Sequence, residues 1–280
     1  MRAYVTGGTG FVGSNIVKVF VDRHGEEVHC PVNRFVPEGP HGYSVERLDL
    51  LDADRLRQSV RDAGPEVIVH SMILNDFALL YADRSLAWDS YVGTTETLAD
   101  AANEIGARLI LVSTDWVFDG TQRRADETTP PNPINYYGVL KVASEQVVLN
   151  RCRQGSVARV SGVNGVHWAR PATLRSQDCG FGYFVGSLVD ALSEGRNFTV
   201  WEADDINMVA TPSLASECGE LIHRIGELED VGGIFHLCGA DAMSRMELAE
   251  LACEVFELDR SLLRSGPADP DSMPGSPIPY

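Results

Sequence analysis

Short apolar runs alternate with segments of helical periodicity over residues 1–160. The apolar runs at 2–6, 28–32, 66–70, 109–113 and 156–160 predict strands. Between them, apolar residues recur at helical spacing and predict helices over 11–23, 85–105 and 137–152. Continuous apolar strands that alternate with helices are typical of a parallel sheet covered on both faces. With right-handed crossovers, the sequence predicts a doubly wound α/β fold.

The pattern changes after about residue 163. Residues 164–182 mix glycine, arginine and aromatic residues without a clear period. Beyond them the sequence predicts helices at 183–194, 212–225 and 244–256, strands at 198–202 and 234–238, and an extended Pro/Gly/Ser-rich tail at 265–280. This change indicates a second, smaller α/β lobe.

Composition narrows the class of protein. The 280 residues carry 23 Lys and Arg against 40 Asp and Glu, a net charge of −17, and 44% of the residues are apolar. An acidic surface repels phosphate backbones, so nucleic acid is not an expected partner, and no basic run offers a patch for a membrane. Because the chain has neither a leader-like start nor a membrane-length apolar run, we expect a cytoplasmic protein.

The six cysteines are scattered along the chain, without a C-x-x-C pair. Isolated cysteines in an apolar chain of this length are typical of buried, reduced thiols. His, Cys, Asp and Glu do not cluster at the spacing of metal ligands, so no metal is expected.

A glycine cluster directly follows the first predicted strand. It reads Thr6-Gly7-Gly8-Thr9-Gly10-Phe11-Val12-Gly13 and opens the first predicted helix. Glycines let a backbone turn tightly and approach a pyrophosphate, and the helix N-terminus supplies N–H donors and a positive dipole. The alternative is an ordinary strand-to-helix turn. We interpret the cluster as the turn of a dinucleotide-binding Rossmann domain over 1–163 and 208–239, with 164–207 and 240–280 forming a substrate-binding lobe.

The end of the second predicted strand bears on which dinucleotide binds. Domains that bind NAD place a carboxylate there to accept the ribose 2′-OH, whereas this chain has Asn33-Arg34. Arg34 can pair with a 2′-phosphate, and the alternative is a solvated surface arginine. We therefore expect NADP(H) to be favoured over NAD(H).

Tyr137 and Lys141 lie four residues apart on one face of a predicted helix. A tyrosine with an ordinary pKa of about 10 is a poor acid–base group at neutral pH. A nearby ammonium favours the phenolate and eases proton exchange. The neighbouring Tyr136 has Leu140 at the matching position, so it lacks such a partner. Taken alone the pair is weak, because helices produce this spacing by chance.

Three motifs occur together: the glycine cluster, Ser113-Thr114-Asp115 at a strand end, and Tyr137 with Lys141. In this order they resemble the extended short-chain dehydrogenase/reductases. The stretches STDWVFDG (113–120), DETTPPNPINYYGVLKVASE (126–145), VARVSGVNG (157–165) and GIFHLCG (233–239) are similar to dTDP-4-dehydrorhamnose reductases. The resemblance covers nearly the whole chain. It implies an NADPH-dependent reductase of a keto group on a nucleotide-linked deoxysugar, of the dTDP-4-keto-6-deoxysugar type, or on a related carbonyl compound.

The resemblance also implies roles for individual residues. Tyr137 would protonate the substrate oxygen while hydride arrives at its carbon, Thr114 would hydrogen-bond that oxygen, and Lys141 would tune Tyr137 and bind the ribose. The cofactor-binding residues would be Thr6, Gly7, Gly10, Phe11, Val12, Gly13, Asn33, Arg34, Asp49, Leu50, Ser71, Met72, Ser113, Tyr137, Lys141 and Val160. The substrate-binding residues would be Asn75, Trp116, Val117, Ser161, Arg170 and Arg175. The alternatives are a strand-end hydroxyl for Thr114 and a solvated helix lysine for Lys141.

Several positions depart from the family pattern. Residues 70–76 (HSMILND) stand where relatives have alanines and a Thr, and Tyr91 stands where many have an Asn that supports the catalytic lysine. Gly162 and Asn164 replace the Trp and Tyr that reductases often carry beside the sugar. The cofactor half therefore matches well and the sugar half poorly, which leaves the identity of the sugar open.

Related activities stay open as well. Sugar-nucleotide dehydratases carry Asp-Glu after the catalytic Thr, whereas this chain has Thr114-Asp115-Trp116, so reduction without elimination is favoured. A sugar-nucleotide epimerase is harder to exclude. A different class is a non-catalytic NADP-binding regulatory subunit, since the β subunit of methionine adenosyltransferase resembles the same reductases. The intact Thr114, Tyr137 and Lys141 favour an enzyme.

The helices predicted at 85–105 and 137–152 carry apolar residues on more than one face. Extended relatives often pair these helices into a four-helix interface. We therefore expect a homodimer; the alternative is that these residues pack on the sheet.

Overall fold

The computed structural model describes residues 1–37, 42–74, 76–122, 124–171, 177–180, 182–203 and 206–269. The strands are β1 (Arg2–Thr6), β2 (Glu27–Val32), β3 (Ser44–Arg47), β4 (Val67–His70), β5 (Arg108–Thr114), β6 (Gly155–Val160), β7 (Val163–Asn164), β8 (Phe198–Trp201), β9 (Val209–Ala210), β10 (Ser213–Leu214), β11 (Gly233–Leu237), β12 (Met243–Ser244) and β13 (Leu263–Gly266). The helices are α1 (Phe11–Lys18), α2 (Ala53–Ala63), α3 (Phe77–Ala82), α4 (Arg84–Trp88), α5 (Thr94–Ile105), α6 (Tyr136–Arg151), α7 (Phe184–Ser193), α8 (Ala215–Glu227) and α9 (Arg245–Val255).

Seven parallel strands form the central sheet in the order β11-β6-β5-β4-β1-β2-β3. The strand order reverses between β1 and β4: β2 and β3 follow β1 on one side, and β5 and β6 follow β4 on the other. Helices α1 and α8 pack on one face of the sheet, and α2, α5 and α6 pack on the other. This arrangement confirms the predicted doubly wound α/β fold.

Burial on both faces explains why the central strands are continuously apolar. In β5, Leu109 and Leu111 pack with α2, α5 and α6, while Ile110 and Val112 pack with α1 and α8. Successive side chains of a strand point to opposite faces, so the positions 109–112 in the middle of β5 all need apolar residues. The carboxyl ends of β1, β4, β5 and β6 meet at one edge of the sheet, where the candidate site lies.

A separate apolar cluster lies beyond residue 163. It joins β8, α7 and α9, with Phe184, Leu188 and Leu248 among its buried residues. Strand β13 pairs in parallel with β8, and β12 pairs antiparallel with β9. The guanidinium of Arg245 is fully buried there and donates to the backbone carbonyls of residues 178, 179 and 207. The assignment of 164–207 and 240–280 to a substrate lobe stays a prediction.

Two of the predicted helices are interrupted. The segment predicted at 11–23 is α1 followed by a π-helical stretch, Val19–Arg23, and the segment predicted at 85–105 contains a second one, Asp89–Gly93. The sequence did not predict β3 or α2. Most of the predicted tail, residues 270–280, lies outside the described residues.

The cysteines agree only in part with the expectation of buried thiols. All six are free, and four of them are buried, but Cys238 is exposed and Cys152 is half-buried. The expectation was therefore wrong for Cys238. Within the described ranges, no helix combines the length and apolar character needed to cross a membrane.

Candidate active site

The turn between β1 and α1 is tightly folded back on itself. Gly7 has a φ of +71°, and its carbonyl accepts a hydrogen bond from the Gly10 N–H at 2.8 Å. A Cβ at Gly13 would stand 2.1 Å from the Gly7 oxygen, and one at Gly7 would stand 2.6 Å from the Met72 nitrogen. Only glycine satisfies both the positive φ and this close approach, so the cluster is needed for the shape of the turn.

The first turn of α1 offers its backbone N–H groups to a ligand. Gly10 is the N-cap and supplies no side-chain cap, and the first turn carries no acidic residue. Unsatisfied N–H groups and the helix dipole together favour an anion at such a terminus. The terminus lies beside the reversal between β1 and β4, where the Ser71 hydroxyl donates to the Thr6 carbonyl at 2.7 Å. Ligands of doubly wound folds bind at this kind of reversal.

The residues predicted to contact the adenosine lie at the ends of β2 and β3. Asn33 and Arg34 are exposed directly after β2. Asp49 is also exposed, and its Oδ1 accepts from the Leu51 N–H at 3.2 Å. Leu50, by contrast, is buried in the core beside α2. The polar groups are therefore open to a ligand at this end, whereas Leu50 contributes to packing.

The end of β5 presents Thr114 within a hydrogen-bonded group. Its hydroxyl accepts from the Trp116 N–H at 3.2 Å and lies 3.1 Å from Oδ1 of Asp115. The Ser161 hydroxyl donates to Oδ2 of Asp115 at 2.7 Å. Burial raises the pKa of Asp115, although the hydrogen bonds from Ser161 and Thr114 work against that rise. Thr114 donates to Asp115 in this arrangement, so its O–H must turn away from the carboxyl group in order to donate to a substrate oxygen.

Helix α6 begins very close to β5. Its N-cap is Asn135, whose side chain accepts from the Gly138 N–H at 2.7 Å. A Cβ at Gly138 would stand only 2.4 Å from the Trp116 carbonyl oxygen. The glycine after Tyr137 thus lets the first turn of α6 lie against the strand end that carries Thr114.

The Tyr137 ring is enclosed by three other aromatic rings. The centroids of Trp116, Tyr91 and Phe77 lie 5.8, 5.9 and 5.7 Å from that of Tyr137, and the first two are edge-to-face. Such contacts hold an aromatic ring in one orientation. The Tyr137 hydroxyl is therefore the part of the side chain that can engage a ligand.

Burial raises the pKa of the Tyr137 phenol above its ordinary value. A hydrogen bond with Thr114 lowers the pKa in part, while the carboxylates of Asp115 and Asp178 raise it further. Tyr137 is consequently a neutral phenol over the physiological range, so the proton that it would donate is present, but the raised pKa makes that proton harder to release.

Lys141 is buried with its ammonium next to Tyr137. Its Nζ donates to the Val112 carbonyl at 2.9 Å and lies 5.4 and 6.0 Å from the ring centroids of Tyr91 and Tyr137. Burial lowers the pKa of Lys141 to about 8, against the opposite influence of Glu145. An ammonium has three N–H donors, and the hydrogen bond to the Val112 carbonyl uses a single one.

Sequence reasoning missed a buried ion pair one helical turn further along α6. Glu145 Oε2 accepts from Arg159 Nη2 at 2.6 Å, Oε1 accepts from Arg159 Nε at 2.9 Å, and both side chains are almost fully buried. The Ser113 hydroxyl donates to the same carboxylate at 2.5 Å. The signal was present, because Tyr137, Lys141 and Glu145 repeat the four-residue spacing of one helix face.

Sequence reasoning also missed the buried histidine His70, which lies near Lys141. His70 Nδ1 lies 2.7 Å from the Thr6 hydroxyl, so the ends of β4 and β1 are joined by side chains. Burial lowers the pKa of His70 to about 3, and the nearby Lys141 lowers it further. The imidazole is therefore neutral, and it adds no second positive charge beside Lys141.

The other predicted site residues divide into three groups. Ser113 is engaged by Glu145, while Val117 and Val160 are buried in packed regions, so their side chains contribute to structure. Arg170 lies against Phe35, close to the end of β2. Asn75 and Arg175 lie outside the described residues. The roles assigned to these residues stay predictions.

The family model of the RmlD substrate-binding domain matches residues 1–274. The β subunit of methionine adenosyltransferase 2 from Xenopus tropicalis is 29% identical over 280 residues, which are 100% of this chain and 78% of that protein. The "Probable low-salt glycan biosynthesis reductase Agl14" of Haloferax volcanii is 28% identical over 269 residues, 95% of this chain and 83% of that protein.

A solved structure shares the fold over the whole chain. It is a hypothetical dTDP-4-dehydrorhamnose reductase from Sulfolobus tokodaii, with a TM-score of 0.78, 25% identity, and coverage of 100% of this chain and 90% of that one. The resemblance carried by the sequence motifs is thereby confirmed. Because the family model spans nearly all of the sequence, the chain belongs to the RmlD substrate-binding domain family.

Proposed function

We propose that this protein is an NADPH-dependent reductase of a keto group on a nucleotide-linked deoxysugar. The observation that carries the proposal is the meeting of Thr114, Tyr137 and Lys141 at the carboxyl end of β5. A hydrogen-bonding hydroxyl, a neutral phenol and a buried ammonium are the groups that a carbonyl needs in order to accept hydride and a proton. The family membership and the identity to Agl14 support reductase chemistry.

The residues at the β1–α1 turn fit a dinucleotide. The uncapped N–H groups of α1 and the tight Gly7–Gly13 turn would hold a pyrophosphate, and Arg34 would pair with a 2′-phosphate. When bound, NADPH supplies the hydride that reduces the substrate carbon.

The chain's own residues would manage the substrate oxygen. Thr114 would turn its O–H from Asp115 to the substrate carbonyl and orient that carbonyl, while its oxygen keeps the hydrogen bond from the Trp116 N–H. Tyr137 would give its proton to the oxygen as negative charge develops there. The Lys141 ammonium, held near the ring, would stabilise the phenolate that remains.

The proposal is tested by following NADPH absorbance with a panel of 4-keto nucleotide sugars that differ in their nucleotide and sugar. Oxidation that depends on both substrate and protein, with an alcohol as the product, is the expected result. NADPH binding without turnover of any member of the panel would overturn the reductase proposal.

A second candidate function is a non-catalytic NADP-binding regulatory subunit. It is favoured by the 29% identity to the methionine adenosyltransferase 2 β subunit over the full length of this chain. The same assay separates the two, because a regulatory subunit binds NADPH without consuming it.

Cofactor preference gives a first prediction. Arg34→Ala should weaken NADPH binding by about 10- to 100-fold, because a charge-assisted hydrogen bond contributes about 1.5–3 kcal/mol. Binding of NADH, which has no 2′-phosphate, should change by less than about threefold. Isothermal titration of both nucleotides measures the two effects.

The matched control is Arg153→Ala. Arg153 is an exposed arginine near the amino end of β6, and its replacement should change the binding of neither nucleotide. An unaltered preference in Arg34→Ala would show that Arg34 does not read the phosphate.

The pH dependence of reduction gives a second prediction. Lys141 acts as a cation, and its pKa is lowered to about 8 by burial, so the active form is present below that pH and is lost above it. We expect kcat/KM to fall about tenfold per pH unit above pH 8. Lys141→Arg, whose charge persists throughout the range, should lack this alkaline limb in whatever activity remains. Activity that rises through pH 8 would contradict the role given to Lys141.

A further inference from the structure

Arg170 reaches from the segment after β7 to the end of β2. Its guanidinium carbon lies 4.3 Å from the centroid of the Phe35 ring. Phe35 is the residue next to Arg34, so two arginines that are distant in sequence come to the same end of the sheet. Arg170 was predicted to bind substrate, but this position lies on the adenosine side of the dinucleotide turn.

The segment that carries Arg170 is fixed to α1. The Asn15 side chain donates to the Val166 carbonyl at 2.8 Å and accepts from the Trp168 indole N–H at 3.1 Å. Lys18 Nζ lies 4.4 Å from the centroid of the Trp168 ring. Asn15 is buried, so it gives the segment a fixed attachment to α1, although Val166 and Trp168 are themselves exposed. Arg170 therefore lies in a segment that is attached to α1 and reaches the end of β2.

The guanidinium of Arg170 has unused hydrogen-bonding capacity. Its Nε is buried and has no hydrogen-bond partner. Within the described part of the chain, neither Arg34 nor Arg170 makes an ion pair, although the protein has a net charge of −17. The contact with Phe35 restrains the Arg170 guanidinium, whose planar fork matches the oxygens of a phosphate. A cation held in this way is suited to a phosphate ligand.

We infer that Arg170 is a second residue that reads the 2′-phosphate of NADPH, which it would grip together with Arg34. The inference rests on the proposed NADPH-dependent function. It means that cofactor discrimination is shared between the end of β2 and the segment after β7. The phosphate would then tie residues 166–170 to the end of β2, so NADPH would hold this segment more firmly than NADH.

The same segment leads towards the substrate side of the cleft. The His167 ring centroid lies 6.0 Å from that of Phe11, and Phe11 lies 4.5 Å from Tyr183, the residue before α7. Cofactor choice and the position of α7 would therefore be linked through packed rings.

The test compares nucleotides that differ only in the 2′-phosphate. Dissociation constants for NADPH, NADH, 2′,5′-ADP and 5′-AMP are measured on the full chain and on Arg170→Ala, Arg170→Lys and the control Arg153→Ala. Arg170→Ala should weaken NADPH and 2′,5′-ADP by about 10- to 100-fold, and NADH and 5′-AMP by less than about threefold. Arg170→Lys keeps the charge but not the stacked fork, so an intermediate loss is expected.

Each outcome bears on a different claim. If the unaltered protein binds NADH as tightly as NADPH, the proposed cofactor is wrong and the inference fails with it. A second outcome overturns the inference alone. In that case the unaltered protein prefers NADPH and Arg34→Ala removes the preference. Arg170→Ala, however, either weakens the binding of all four nucleotides equally or changes the binding of none of them. Arg170→Lys serves as the test if Arg170→Ala does not fold.

Discussion

Replacing Tyr137 with phenylalanine is expected to slow reduction of a 4-keto nucleotide sugar by about 10²- to 10⁴-fold, which is the usual contribution of a positioned proton donor. The loss should fall on turnover rather than on binding. Phenylalanine keeps the ring that packs against Trp116, Tyr91 and Phe77, so the shape of the cleft is preserved. NADPH affinity and the midpoint of thermal unfolding should therefore stay close to those of the unaltered protein.

The neighbouring residue supplies a matched control. Tyr136 is also on the first turn of α6, but its hydroxyl donates to the Arg84 carbonyl at 3.1 Å, away from Thr114 and Lys141. Tyr136→Phe removes one exposed hydrogen bond at a stability cost of about 1 kcal/mol and should leave turnover within about twofold. Steady-state kcat and KM for both variants decide the matter. Comparable losses in the two variants, or full activity in Tyr137→Phe, would remove Tyr137 from the proton transfer.

The elements that could be predicted from sequence are those buried on both faces. Strands β1, β4, β5 and β6 appear as apolar runs because helices cover the sheet on either side. Strand β3 (SVER) lies at the sheet edge and is only partly buried, so it has no such run. Helix α2 buries Leu56, Ser59 and Val60 in an otherwise polar segment, so its few apolar residues are easily overlooked although they share one face.

In the candidate site, the features within one short segment could be predicted from the sequence, and the contacts between distant segments could not. The spacing of Tyr137 and Lys141, and the glycine turn, are properties of short segments, so they could be found in the sequence. The stacking of Arg170 on Phe35 depends on how the segment after β7 folds over α1, and no local pattern carries that information.

The buried ion pair behind Lys141 should give the largest change in stability. Glu145→Ala leaves the Arg159 guanidinium buried without its carboxylate and removes the acceptor of the Ser113 hydroxyl. Breaking one side of a buried pair costs about 3–5 kcal/mol, because the remaining charge has lost both water and its partner. Denaturant unfolding should show that decrease in the free energy of unfolding. Glu96→Ala, which removes a partner of Arg151 from an exposed pair between α5 and α6, should cost less than about 1 kcal/mol.

A double variant separates the loss of the pair from the presence of an unpaired charge. Glu145→Leu with Arg159→Met removes both charges and should recover most of the lost stability, since the attraction within a buried pair largely offsets its desolvation. Catalysis should not recover in parallel. Glu145 raises the pKa of Lys141, so its removal should move the alkaline limb of kcat/KM below pH 8 even in the stable double variant. If the limb stays in place while stability returns, the pair serves only the fold. If Glu145→Ala lowers the free energy of unfolding no more than Glu96→Ala does, Glu145 and Arg159 do not form a buried ion pair.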